Sequence, residues 1–427
     1  MHAFWQSVRG YPVRAFAICY LVYAASQFDS AIFGYVLPAI RAEFGLTTGQ
    51  TGTLIALASA LAGLFLVGIG LLTDRRGRAK VLGFSTGATG LLIAAHALVL
   101  GPITLVIARA VTTAVGGSAY AVTGAVTAEE APARYRGLIA GLLQTAYPLG
   151  WFLSGLLVAA LIGDWGWRVT FLVGLLTVPL GWLVLKYLRE PKRFLAAKQD
   201  GQPRASLREL FRGGRGPRVA SLFTAQFLFV MAYSSSAFYL PTYFVDVRGL
   251  TLADSSLRVA LANGIGVFGY ILAALTGEFL LSRRTTVVVW TLLGASAFLW
   301  LIHGAQDLTT ALIALALMSM FFYGTAAVKF ALIAEVFPTH LRATGLAVCG
   351  SLAVSLGSAL GPFLTAQIAE LRGWDFAFTW FVTTPLFLAG FLYIFIKPLP
   401  SGLEVEDIQK LLEERADSAR MREANAK

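Results

Sequence analysis

The chain has 427 residues, of which 57% are hydrophobic and 13% charged, with two cysteines and a formal net charge of +11. So apolar a composition excludes an ordinary soluble fold, and two cysteines exclude a disulfide scaffold. The basic excess alone would suit nucleic acid, so its distribution along the chain has to decide.

A helix crosses the ~30 Å hydrocarbon core with ~20 residues. Twelve apolar runs of about that length occur, at 13–40, 51–73, 81–100, 102–127, 138–162, 168–188, 218–245, 256–281, 286–303, 308–333, 342–369 and 375–396. They are numbered here as spans 1 to 12. Backbone groups in lipid must be satisfied within their own segment, so continuous runs predict helices, whereas a barrel would alternate. The first run is too long for a cleaved signal. Cys19 and Cys349 fall in opposite halves, inside spans, and read as space-filling.

Span 1 carries Asp29 near its middle. Charge inside a membrane is expensive and faces a cavity or a partner. A carboxylate there can exchange a proton as access alternates, or stay paired with a cation for structural reasons. Spans 2 and 3 are joined by about seven residues containing Asp74, Arg75, Gly77 and Arg78, a tight basic turn. Span 4 holds Arg109 in its outer half, followed by small residues at 114, 116, 117 and 119 that let helices approach closely. A guanidinium there can modulate Asp29, hold a carboxylate in bidentate fashion, or clamp helices together.

Span 5 presents Gln144, Tyr147 and Trp151 at i, i+3 and i+7, one helical face. Such a polar-aromatic face suits a cavity better than lipid. Spans 7 and 8 add Gln226 with Tyr233 and Asn263 with Tyr270, each pair seven apart. Lys329 lies about two turns past the middle of span 10, where it either meets a ligand, snorkels to the interface or pairs with Glu335.

The connection 189–217 is basic and rich in Pro and Gly; Ser206-Leu-Arg-Glu209 within it has capping-box spacing, predicting a short surface helix. It separates six spans from six. The domains predicted are 1–188, a linker at 189–217, 218–396, and a tail at 397–427. With an offset of 206, Ala128, Glu129, Pro132, Arg136 and Gly155 fall on Ala334, Glu335, Pro338, Arg342 and Gly361. The halves are therefore parallel repeats. If both termini are cytoplasmic, 27 of the 34 Lys and Arg lie on that side. Arg41, Arg168, Arg248, Arg258 and Arg372 lie on the other. That bias follows the positive-inside rule, accounts for the basicity, and leaves no need for nucleic acid.

Gly70-x-x-x-Asp74-Arg75-x-Gly77-Arg78-x-Lys80, together with the paired Glu-Pro-Arg loops, resembles the signature of the major facilitator superfamily. The resemblance covers spans 1–12. It implies an all-α membrane protein of two pseudo-symmetric six-helix bundles that rock around a central site. It also implies that Asp74 faces the start of span 11, and that Arg75, Gly77, Arg78, Glu129, Arg136, Glu335 and Arg342 belong to the gate.

Gln144-Thr-Ala-Tyr147-Pro-Leu-Gly-Trp151 and Gly166-Trp-Arg168 look like the proton symporters of organic acids, the sialate/monocarboxylate and aromatic-acid groups. Two departures stand out. Ser26-Gln27 replace the Asp-Gly those groups carry before Phe28-Asp29, and their Tyr-Asn-x-Gly-Arg on span 11 is absent.

The expectation is a proton-coupled uptake carrier for a small organic anion, working as a monomer in the inner membrane with no cofactor, no metal and no enzymatic step. Asp29 and Arg109 would carry the proton; Arg109, Gln144, Tyr147, Trp151, Gln226, Tyr233, Asn263 and Lys329 would line the substrate site. The alternatives are proton-driven efflux of an amphipathic compound and a membrane sensor that binds without transporting.

Overall fold

The computed structural model describes residues 10–131, 136–190, 207–211, 216–337, 341 and 344–396. Among them every regular element is helical, and the chain crosses the bundle twelve times. Spans 1 to 3 are Tyr11–Glu43, Thr48–Arg76 and Arg78–Leu98. Span 4 is 102–130, two helices meeting at Gly117. The apolar stretch Leu138–Tyr187 is two crossings, spans 5 and 6, because Gly166 at φ +73° breaks the helix in a conformation that side chains resist. Spans 7 to 9 are Gly216–Asp246, Leu252–Leu280 and Arg283–Gly304. Span 10 is 308–336, and spans 11 and 12 are Leu346–Arg372 and Trp374–Ile394. Phe84, Leu98, Trp182, Phe268 and Phe395 remain exposed on the outer surface of the bundle, as lipid-facing side chains do.

Without water between them, membrane helices gain from close packing rather than from hydrophobic burial, and small residues permit it. Span 11 shows this in Gly357-x-x-x-Gly361. A Cβ on Gly357 would lie 2.8 Å from the Phe227 carbonyl oxygen, and one on Gly361 2.9 Å from the Met231 Cα. Span 7 therefore rests directly on that groove.

Among the described residues the two halves meet chiefly where span 5 packs on span 8, span 2 on span 11 and span 1 on span 7, and the start of span 5 also touches span 10. Advancing each helix by six spans turns the 5–8 seam into the 11–2 seam, as the sequence repeat requires. The 5–8 seam is tight along its length. A Cβ on Gly155 would lie 2.6 Å from the Ala260 methyl, and one on Gly141 2.8 Å from the Ala274 methyl.

The end opposite the termini is also held by polar contacts between the halves. Arg41 donates two hydrogen bonds to Asp246, at 2.8 and 2.6 Å, and Gln367 donates to the Gly49 carbonyl at 2.8 Å and to Thr53 at 3.1 Å. Glu370 accepts from the Gly49 backbone N–H.

A prediction follows at Gly52, whose Cβ would meet the Ala366 methyl at 2.5 Å. Gly52→Val is expected to wedge this end open at an overpacking cost of about 1–3 kcal/mol to the closed state. The labelling rate of a cysteine placed at buried Thr51 should then rise about tenfold with a membrane-impermeant thiol reagent. An unchanged rate would show that this seam does not set the closed state.

Candidate functional site

Span 1 is interrupted at Gln27, where Ser26 Oγ donates to the Tyr23 carbonyl at 2.7 Å and the helix restarts at Phe28. Span 5 presses against this point: a Cβ on Gly150 would meet the Ala24 carbonyl oxygen at 2.5 Å. The restart sets Asp29 in a first helical turn, only 3% exposed, facing into the first half.

Arg109 of span 4 donates from Nη1 to Asp29 Oδ2 at 2.6 Å and to the Asp29 carbonyl oxygen at 3.1 Å. Its guanidinium also lies 4.4 Å from the centre of the Phe33 ring, one turn beyond Asp29. A buried pair of this kind balances desolvation against attraction, so losing one partner costs far more than the intact pair contributes.

His96, at the end of span 3, completes the group. It is fully buried, stacked on Phe171 with ring centres 4.9 Å apart, and its Nε2 lies 3.7 Å from Asp29 Oδ1. In the sequence Asp29, Arg109 and Lys329 stand out as the ionisable groups inside spans, and this histidine does not. The available signal was its position inside the third apolar run.

A second group lies between the halves and is mostly aromatic. Tyr147 is 6.2 Å from Trp151 and 5.5 Å from Tyr233, centre to centre. Tyr233 shares a hydrogen bond of 3.1 Å with the Tyr270 hydroxyl and lies 4.6 Å from the Tyr323 ring. Gln144 accepts from the Tyr23 hydroxyl at 3.1 Å, and Asn263 donates to the Tyr35 hydroxyl at 3.2 Å. Trp151 packs 6.0 Å from Tyr35, and its indole N–H has no hydrogen-bond partner among the described residues.

Lys329 enters this group from span 10. It is 5% exposed, with Nζ 3.3 Å from the centre of the Phe229 ring, and Phe229 lies 6.1 Å from Tyr233. The ammonium is thus turned into the protein. No carboxylate is within ion-pair distance of it among the described residues; the Glu335 side chain lies outside them. Gln226 is not part of the group but accepts from Tyr393 of span 12 at 3.3 Å. Tyr23, Tyr35, Phe229 and Tyr323 belong to the cluster without having been singled out beforehand, since one tyrosine in an apolar run looks like any other.

A chain of rings joins the two groups. Arg109 lies on Phe33, Phe33 is 6.3 Å from Phe238, and Phe238 is 6.0 Å from Trp151.

At the terminus end, the turn between spans 2 and 3 is organised by a residue from the far side of span 6. Glu190 Oε2 accepts from the Arg78 N–H at 2.8 Å, and Oε1 accepts from Ala79 and Lys80 at 3.0 and 3.2 Å. Its carboxylate thereby satisfies three orphan donors and meets the positive end of the helix dipole. Gly77, at φ +103°, leaves the room this requires, for a Cβ would fall 2.5 Å from Glu190 Oε1. Glu129 is half-buried at the end of span 4. The side chains of Asp74, Arg75, Arg136 and Glu335, and Arg342 altogether, lie outside the described residues. Glu190→Ala is expected to cost about 1–2 kcal/mol, as the loss of a good cap does, and to lower the melting temperature of the purified protein. A melt indistinguishable from the native one would show the cap to be dispensable.

The sequence profile of the Major Facilitator Superfamily matches residues 19–348. The chain is 29% identical over 368 residues to the cis,cis-muconate transport protein of Acinetobacter baylyi, covering 83% of this chain and 87% of that one. It is 27% identical over 403 residues to a 4-hydroxybenzoate transporter of Pseudomonas aeruginosa, covering 87% and 89%. A probable 4-methylmuconolactone transporter of Cupriavidus pinatubonensis is 25% identical over 374 residues, with 84% of each chain covered. Among solved structures, a bacterial homologue of the human lysosomal transporter Spinster aligns with a TM-score of 0.72 at 16% identity, over 90% of this chain and 96% of that one. A D-xylose-proton symporter aligns with a TM-score of 0.72 at 20% identity, over 92% and 99%. These two likenesses concern the fold.

Proposed function

The chain belongs to the major facilitator superfamily, and from that premise we propose that it is a proton-driven importer of a small organic carboxylate with an unsaturated or aromatic body. It is a membrane transporter and not an enzyme.

The observation that carries the reading is Lys329, an ammonium buried on the Phe229 ring beside a cluster of tyrosines. An unpaired charge in such a place is costly, and an anionic ligand removes that cost. The flat rings of Tyr147, Trp151 and Tyr233 suit a planar ligand body, and the Trp151 N–H, which has no hydrogen-bond partner among the described residues, is a second donor from the opposite half. The names of the relatives, a muconate carrier and a 4-hydroxybenzoate carrier among them, support the same chemistry. Asn263 and Gln144 orient the surrounding hydroxyls; Gln226 supports span 12.

Arg109 serves the proton rather than the anion, because Asp29 and Phe33 already occupy it. The driving force is the proton gradient, with no cofactor. The lysine and arginine bias supports an orientation with both termini in the cytoplasm of an inner-membrane protein. The site lies between the two halves of one chain, so a monomer suffices. Residues 1–188 and 218–396 rock on the 5–8 and 2–11 seams, and the polar clamp around Arg41, Asp246, Gln367 and Glu370 closes the outer face.

Purified protein in proteoliposomes with an alkaline interior should accumulate labelled 4-hydroxybenzoate or cis,cis-muconate above equilibrium, and collapsing the gradient should release it. Efflux driven only by the opposite gradient would reverse the direction. Binding without any flux would return the protein to the sensor class.

A further inference from the structure

His96 and Asp29 face each other with a chemical mismatch. The imidazole Nδ1 lies 2.9 Å from the Leu92 carbonyl oxygen, which can only accept, so in the neutral ring Nδ1 carries the hydrogen. Nε2 is then a bare acceptor, and it points at Asp29 Oδ1, 3.7 Å away. A carboxylate oxygen is also an acceptor. Neither atom has a hydrogen-bond partner among the described residues, and both residues are at least nine-tenths buried. The other carboxylate oxygen is held by Arg109, so rotation of Asp29 cannot resolve the mismatch without giving up that bond.

We propose that this gap is the binding place of the coupling proton, which is held jointly by Asp29 and His96 rather than by Asp29 alone. One proton between Oδ1 and Nε2 turns two opposed acceptors into a charge-assisted hydrogen bond after a closing movement of less than an ångström. The charged groups facing the imidazole are Asp29 from span 1 and Arg109 from span 4; its other neighbours are the apolar Phe171 ring and carbonyls of its own helix. The group therefore carries no net charge when empty and one positive charge when loaded. That surplus weakens the hold of Asp29 on Arg109, and an anion at the neighbouring site balances it. Proton and anion thus favour each other.

In the trough between spans 1, 3, 4 and 6 lies a small cavity of mixed lining, with the hydroxyls of Ser26, Ser85, Thr86, Thr89 and Thr177 set among Val22, Ala25, Gly116 and Ala119. Thr89 lies two helical turns below His96 on the same face, and its hydroxyl has no partner among the described residues.

The inference deepens the proton-coupled reading, and its test needs no substrate. The purified protein is titrated in detergent while infrared difference spectra follow the Asp29 carboxyl, which is identified by its loss in Asp29→Asn. The ring nitrogens of histidine are followed in parallel by NMR on isotope-labelled protein. In the native protein both signals should move with one midpoint, as belongs to a coupled pair. In His96→Phe the carboxyl midpoint should shift by about one pH unit or more from its native position, since one of the two acceptors is gone.

Separate midpoints in the native protein, or a carboxyl midpoint unchanged in a folded His96→Phe, would overturn the shared proton. Should that variant not fold, the comparison of the two native midpoints decides alone. Either result is independent of whether the cargo is a carboxylate.

Discussion

Asp29→Asn is expected to abolish accumulation driven by a pH gradient while leaving counterflow intact. With one-to-one coupling, a gradient of one pH unit drives about tenfold accumulation, so the variant loses about that factor and merely equilibrates its substrate. The amide has the shape of the carboxyl but cannot give up a proton, so the loaded carrier can return while the proton step is missing. Stability should suffer as well. Arg109 keeps its buried place without its counter-charge, and breaking such a pair costs about 3–5 kcal/mol. Adding Arg109→Gln removes the stranded charge and should recover most of that loss without recovering accumulation. Surviving gradient-driven accumulation in the single variant would move the coupling away from Asp29.

The second large effect is expected at Lys329. Lys329→Met keeps the length of the side chain and its contact with Phe229 while removing the charge. If the ammonium meets the substrate carboxylate, removing it costs about 2–5 kcal/mol of binding, a rise in KM or Kd of about thirtyfold or more. The melting temperature of the empty protein should hold or rise, because a buried amine with no ion-pair partner among the described residues has been replaced by an apolar side chain. That combination discriminates between roles. A lysine paired structurally, for instance with Glu335, would lose stability on substitution and leave affinity nearly untouched. Thermal melts and tracer uptake on the same preparation separate the two outcomes.

Most of the architecture was legible because the bilayer imposes a length and an internal hydrogen-bonding rule on each span, and composition records both. The helical break at Gly166 agrees with the boundary read between the runs 138–162 and 168–188. The functional groups were legible in part, for a related reason. Asp29, Arg109 and Lys329 stand out because charge in lipid is rare. His96 is as informative, but an uncharged imidazole in an apolar run raises no such alarm. Tyr233 and Tyr270 could be paired on helical spacing within their own spans, yet nothing in spacing announces that their hydroxyls meet at 3.1 Å. Glu190 was invisible as a cap, since it is remote in sequence from the turn it organises.

The sequence by itself determined what is counted along one helix: twelve spans, two repeated halves, the sidedness of charge, and which spans carry ionisable groups. The spans and the sidedness follow from the free energy of a single segment in water or lipid, the repeat from the chain compared with itself, and none of them needs a spatial neighbour. Only the tertiary structure decided the partners. It put Arg109 on Asp29, aimed His96 at the same carboxylate, turned Lys329 into the aromatic cluster and sent Gln226 to Tyr393. Those outcomes depend on how closely glycine faces let the helices pack and at what rotation, and the lipid-facing and partner-facing sides of an apolar helix differ too little in sequence to reveal it.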